Sequence, residues 1–175
     1  QDAAKATIKG AIGILKSIQG KIGTGQNLTA AESKFAAGVD KYLGKGASSN
    51  AGAVGALIGK ASAALGALNS TMPADLGNPP GGRSAQAPPG RLVLSERKFF
   101  GSSEANQANT LGHETGHHTG GNNDDGLNTA EGKYIGGYGA ENAALRASTL
   151  NNPLKAMQWP DAVALSLGFG ESSSE

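Results

Sequence analysis

Three features of this sequence predict a mainly helical α+β fold. Apolar residues recur at steps of three and four through most of the first 69 positions and again beyond residue 103. One short stretch alone, residues 91–95, reads convincingly as a strand, which allows no more than a small sheet or hairpin. Between the two helical regions lies a Pro/Gly-rich interval, 70–90, with turn chemistry at Asn78-Pro79-Pro80-Gly81-Gly82 and Pro88-Pro89-Gly90. The expected organisation is one domain over 1–175, with a helical part (1–69), a loop or linker (70–90) and a second part (91–170). A chain of 175 residues is long enough to bury one core.

The first helix is predicted over 2–22, with Ile8, Ile12, Leu15, Ile18 and Ile22 on its apolar stripe and Lys5, Lys9 and Lys16 mostly off it. A capping box, Thr29-Ala30-Ala31-Glu32, opens the second. Phe35, Val39, Tyr42 and Leu43 form its buried face, and Gly44 suits its stop. The third covers about 50–69, where Gly and Ala permit close helix contacts. Phe99 and Phe100, just after the strand, are expected to anchor the next turn in the core. Ser102 or Ser103 can then cap a helix with Glu104 in its first turn. The exposed edge of the strand offers a place for an extended peptide. Gly120 to Gly126 must leave that helix, and Tyr134 to Gly139 reads as an aromatic turn. Further helices are expected at 140–150, after Asn152-Pro153, and from Pro160, with Asp161 as a cap. The tail from Glu171 to Glu175 is expected to fray.

Composition excludes several functions. The net charge is +1 and basic residues are scattered, so nothing argues for nucleic acid. The absence of cysteine rules out disulfides, thiolate ligands and a Cys nucleophile. No uninterrupted apolar run approaches about 20 residues, so no membrane span is expected. The chain opens with Gln1 rather than Met, which suggests a processed form or an excised domain.

The chemistry concentrates in His113-Glu114-Thr115-Gly116-His117, an HExxH motif, followed by His118; these are the only three histidines of the chain. Positions i and i+4 share a helix face, so His113 and His117 can aim two imidazoles at one ion. Glu114 can lie beside that ion without binding it, take a proton from activated water and pass it to a leaving amine. Zinc suits such a site, because it accepts nitrogen and oxygen ligands tetrahedrally and brings the pKa of bound water towards ~7. A third protein ligand is expected, and four carboxylates compete for the role: Asp124, Asp125, Glu131 and Glu141. The longer spacing HExxHxxGxxH ends here on Asn123, a poor zinc ligand.

At these residues the chain resembles the aspzincin metallopeptidases, the deuterolysin and peptidyl-Lys endopeptidase group with its bacterial toxin and injected-effector relatives. The resemblance runs over roughly 30–168. It is carried by the HExxH, Thr119 to Asp125, Tyr138-Gly139, Ala143 to Ala147, Asn152-Pro153 and Pro160-Asp161-Ala162. The family's GTxDxxYG motif has no direct counterpart: ending it at Tyr138-Gly139 puts Ile135 in the aspartate position, and ending it at Tyr134 puts Glu131 there. A His-His-x-x-Gly-x-x-Asp arrangement, similar to some injected effectors, selects Asp124, with Glu141 as the alternative. By the same resemblance Tyr138, or else Tyr134, stabilises the oxyanion.

The resemblance implies a zincin-like fold and a zinc-dependent endopeptidase with a protein or peptide substrate. Such an enzyme would be secreted or delivered into a target cell, with an immunity protein or a secretion-system carrier as partner. Two other readings stay open. One is a zinc hydrolase of peptidoglycan peptide or amide bonds. The other is a non-catalytic interaction module stabilised by metal.

Overall fold

The computed structural model describes residues 1–70, 74–77, 79, 83, 85–88, 92–118 and 124–171. Its helices, in chain order, are α1 (Asp2–Lys21), α2 (Ala30–Leu43), a 3₁₀ turn (Ala47–Ser49), α3 (Ala51–Asn69), α4 (Glu104–His117), α5 (Ala140–Leu150), α6 (Pro153–Ala156) and α7 (Pro160–Ser166). The strands are β1 (Ala74–Gly77), β2 (Ala85–Gln86), β3 (Leu92–Ser95), β4 (Leu127–Asn128) and β5 (Tyr134–Ile135). The protein is therefore mainly helical with a small sheet, as the periodicity predicts.

Local chemistry sets most helix ends. Thr29 accepts the Glu32 N–H at 3.2 Å, Asn50 accepts that of Ala53 at 3.0 Å, and Asn152 that of Lys155 at 3.1 Å. Gly44 stops α2 at φ 119°, a conformation that strains any residue with a Cβ. Glu32 also pairs with Lys21 at 2.9 Å and ties the end of α1 to the start of α2.

One hydrophobic cluster draws on both helical regions. Ile8, Leu15, Val54 and Leu57 belong to it together with Leu111, Met157, Trp159 and Val163. Alanines fill much of the space between helices: Ala4, Ala11, Ala53 and Ala61 are fully or almost fully buried. Ile12, Ile22 and Phe35, expected on buried faces, are only partly buried at its margin, as are Ile58 and Leu65. By length and composition α3 could cross a membrane, with a mean hydropathy of 1.5, although polar residues interrupt it. Here its Val54, Leu57, Ala61 and Leu68 are buried in the core, chiefly against α1.

The sheet departs from expectation. The interval 70–90, expected as loop, supplies two of its three strands, in the order β1-β3-β2. β1 runs parallel to β3 with Leu76 opposite Leu94, and β2 runs antiparallel with Ala85 opposite Leu94. β3, expected to present an open edge, is thus the central strand. β1 (Ala-Asp-Leu-Gly) and β2 (Ala-Gln) have no β-branched residues or alternation of their own, so pairing with β3 is what orders them. Phe99 is buried, but Phe100 stacks edge-on against it from an exposed position. The expected aromatic turn holds β5, which pairs with β4 in a hairpin. Of the expected frayed tail, residues 172–175 lie outside the described residues, while Glu171 accepts the Ala140 N–H at 2.6 Å.

α4 lies against α7 along a seam that two glycines make possible. A Cβ on Gly112 would stand 2.7 Å from the Phe169 ring, and one on Gly116 would stand 3.0 Å from Pro160 Cβ. Gly112→Ala should therefore destabilise the fold by about 1–3 kcal/mol, the usual cost of overpacking. Thermal unfolding would show a lowered Tm, partly restored when Phe169→Leu makes room. An unchanged Tm would mean that the seam is loose.

Candidate metal centre

The second half of α4 is buried on nearly every side, from Thr110 to Gly116. Ser103 caps the helix by accepting the Asn106 N–H, and Thr115 turns its hydroxyl back to the Leu111 carbonyl at 2.8 Å. Thr115 is thus spent within the helix, Asn109 is spent on the backbone of Gly170 and Glu171, and the imidazoles and the Glu114 carboxyl are left for the site.

His113 Nε2 and His117 Nε2 face each other at 3.3 Å. Asp124 closes the triangle, with Oδ1 3.8 Å from His113 Nε2 and Oδ2 3.4 Å from His117 Nε2. These three residues can hold a metal ion, since each turns one ligand atom toward a common point. Asp124 Oδ1 is buried with no hydrogen-bond partner among the described residues, as a carboxylate oxygen meant for a cation would be. The Tyr138 ring lies 5.8 Å from that of His113, and its hydroxyl donates to the Asp124 carboxylate.

The competing carboxylates are not brought in. Glu131 and Glu141 are exposed, and neither belongs to the cluster. Asp125 is exposed too, while its carbonyl accepts the Trp159 indole N–H at 2.8 Å. Tyr134 is 64% exposed on the hairpin, so Tyr138 is the tyrosine at the cluster. Asn123 lies outside the described residues.

What holds Asp124 in place comes from later in the chain. The Trp159 indole fixes the next carbonyl, and Gly137 leaves room for the Asp124 backbone, whose carbonyl oxygen a Cβ there would overlap. Arg146 is fully buried, donates Nη1–H to the Gly136 carbonyl and lies over the Trp159 ring at 5.2 Å. Burial draws its pKa down to about 10, partly offset by Asp161, so it stays charged at neutral pH.

Asp161 corrects the reading from sequence. Trp159, not Asp161, is the N-cap of α7, and Pro160 is its first residue. The Asp161 carboxylate instead takes His113 Nδ1 at 2.6 Å and the Gly139 N–H at 2.8 Å. Burial disfavours its charge, but His113, the Gly139 N–H and Arg146 outweigh burial and hold its pKa below the usual carboxylate value. Burial likewise disfavours the charged form of His113, yet Asp161 raises its pKa overall. His117, without such a partner, is lowered, chiefly by burial.

Glu114 is 3% exposed, and burial is the main cause that pushes its pKa up to about 7. Burial and then the Asp124 charge push the Tyr138 hydroxyl up to about 12, so it remains a donor at neutral pH. Arg83 was not singled out from sequence. It is exposed, and its positive charge reaches Glu114, His117 and Tyr138, lowering the pKa of each. No pattern around Arg83, Arg146 or Trp159 marks them in the sequence. Of the residues missed, Asp161 had a local signal, a carboxylate directly after a proline, which reads as a helix cap.

Gly137→Ala tests the placement of Asp124. A methyl at that position must displace the Asp124 backbone, so metal uptake should fall while helical circular dichroism persists. Undiminished uptake would show that Asp124 is not held there or is not a ligand.

Comparison with family models, with curated proteins and with solved structures returns no match.

Proposed function

We propose that this protein is a zinc-dependent metalloendopeptidase of the aspzincin type, with His113, His117 and Asp124 as ligands, Glu114 as general base and Tyr138 as oxyanion donor. The observation that carries this reading is the clustering of the ligand groups, with the two imidazole Nε2 atoms 3.3 Å apart and the Asp124 carboxylate within 3.8 Å of one and 3.4 Å of the other, beside a buried carboxyl on the residue that follows the first histidine. Ligands about 2.0–2.1 Å from a tetrahedral ion stand about 3.3–3.4 Å from one another. Two imidazoles and one carboxylate are a donor set that zinc accepts, and three protein ligands are what a catalytic site uses, leaving a position open.

Bound zinc would supply Lewis acidity, making water more acidic and polarising a carbonyl. The rest belongs to the chain. Glu114, with its pKa near 7, is poised to accept a proton from the attacking water and return it to the departing amine. Tyr138 holds its proton at neutral pH and sits beside the ligands, so it can turn from Asp124 to the oxygen on which negative charge develops. β2 is an edge strand packed against α4, with Arg83 two residues before it. It takes over the role expected of β3, pairing with an extended peptide.

Glu114→Gln should retain one zinc per chain but lose casein cleavage by about 10²–10⁴-fold. Full activity in that variant would rule out the base role. Wild-type cleavage of intact sacculi but not of casein, lost in Glu114→Gln, would point instead to a peptidoglycan substrate. Zinc without any hydrolysis in wild type, together with unfolding on chelation, would favour the interaction module.

Zinc affinity should also fall with pH. The ligands bind deprotonated, and His113, with its raised pKa, takes up a proton before an ordinary histidine would. The decline should thus begin above pH ~6.5, the unperturbed histidine value. Competition titrations across neutral pH would detect it. Affinity that is flat down to pH ~5 would argue against histidine ligation.

A further inference from the structure

We infer that Asp161 is the positioning residue of this centre: its single carboxylate sets the tautomer of His113 and fixes the turn that carries Tyr138, so ligand and oxyanion donor are placed together. The inference rests on the metal-site reading above. It adds a residue that neither the HExxH nor its spacing contains.

The two oxygens divide the work. Oδ1 lies 2.6 Å from His113 Nδ1, and Oδ2 accepts the Gly139 N–H at 2.8 Å. An ionised carboxylate only accepts, so Nδ1 must carry a proton. In the neutral ring that leaves the lone pair on Nε2, the nitrogen that faces His117 and Asp124. A carboxylate behind a ligating imidazole also makes it a better donor. On its other side Asp161 grips the peptide joining Tyr138 to Gly139, a glycine at φ 89°. Tyr138 is thereby held at the end of a turn whose direction the same carboxylate sets. Asn142 adds a second hold, its side-chain N–H donating to the Tyr138 carbonyl at 2.8 Å.

Asp161 can reach both groups because α7 approaches α4 at Gly116, where Pro160 packs on the bare backbone. It is 5% exposed, so water does not compete for its oxygens. A role confined to stability would not require the carboxylate to face the nitrogen opposite the ligating one.

The test uses the full chain. Wild-type protein labelled with ¹⁵N-histidine and stripped by chelation is examined by NMR at alkaline pH. His113 should be the Nδ1–H tautomer; an Nε2–H tautomer would overturn the proposal. In Asp161→Asn the amide can keep the Gly139 bond through its oxygen and offer N–H to His113 Nδ1, which should reverse the tautomer. Zinc affinity, read by competition with a chromophoric chelator, should then fall about 10–100-fold while the far-ultraviolet circular dichroism is kept. A folded Asp161→Asn that binds zinc within about twofold of wild type would equally overturn it. The wild-type tautomer decides the matter even where the variant does not fold. Failure of wild type to take up zinc would instead defeat the metal reading, and active protein with an unaltered Asp161→Asn tautomer would defeat this inference alone.

Discussion

The site depends on how closely α7 approaches α4. Gly112 and Gly116 lie one helical turn apart and bare the α4 backbone, where Phe169 and Pro160 settle. His113 and His117 each follow one of these glycines, so the packing seam and the imidazole face are neighbours on a single helix. Close contact at the seam brings the residue after Pro160 within hydrogen-bond reach of His113. A side chain at either glycine would move α7 outward and separate Asp161 from the imidazole. Small residues in this motif are therefore a condition of its geometry, not an accident of composition.

Such closeness requires charge to be buried, which is costly unless each charge has a partner. Asp161, His113, Glu114 and Arg146 are all buried. Asp161 has His113 and the Gly139 N–H, and the guanidinium of Arg146 adds a favourable charge. Arg146 uses the Gly136 carbonyl and the Trp159 ring. Removing one partner from such a group leaves the other uncompensated, at about 3–5 kcal/mol. Trp159 extends the constraint: its ring lies under Arg146 while its indole N–H holds the carbonyl beside Asp124. Asp124 is thus positioned through a side chain 34 residues beyond the carbonyl it holds, at the N-cap of α7.

How much of this was legible in the sequence follows from the range of each interaction. Helices α1 to α5 were legible because their signals are local: the spacing of Ile8, Leu15 and Ile18, the caps Thr29 and Ser103, and the stop at Gly44. His113 and His117 were legible because a helix alone puts them on one face. Asp124 was not separable from Asp125, Glu131 or Glu141 by spacing; a resemblance selected it, and only the fold shows which carboxylate meets the histidines. β1 and β2 were invisible because their residues have little strand preference and gain order from β3. Asp161 was misassigned for a related reason. A carboxylate after a proline looks like a cap, and a partner 48 residues away leaves no local trace.

The polar groups of the cluster are unequally satisfied, and the inequality has a direction. Both Asp161 oxygens are engaged, and His113 Nδ1 with them. On the opposite side of the imidazole, His113 Nε2 meets His117 Nε2, and Asp124 Oδ1 has no partner among the described residues. Two neutral imidazoles cannot both present lone pairs at 3.3 Å without repulsion unless a proton or a cation lies between them. A proton would satisfy one nitrogen and leave the Asp124 oxygen unmatched, whereas a divalent cation answers all three at once. The Asp161 face of the imidazole is complete and the face toward Asp124 is not. A scaffold that folds first and then receives a metal would have this distribution, and in it the ion would stabilise the native state by mass action without being needed to form it.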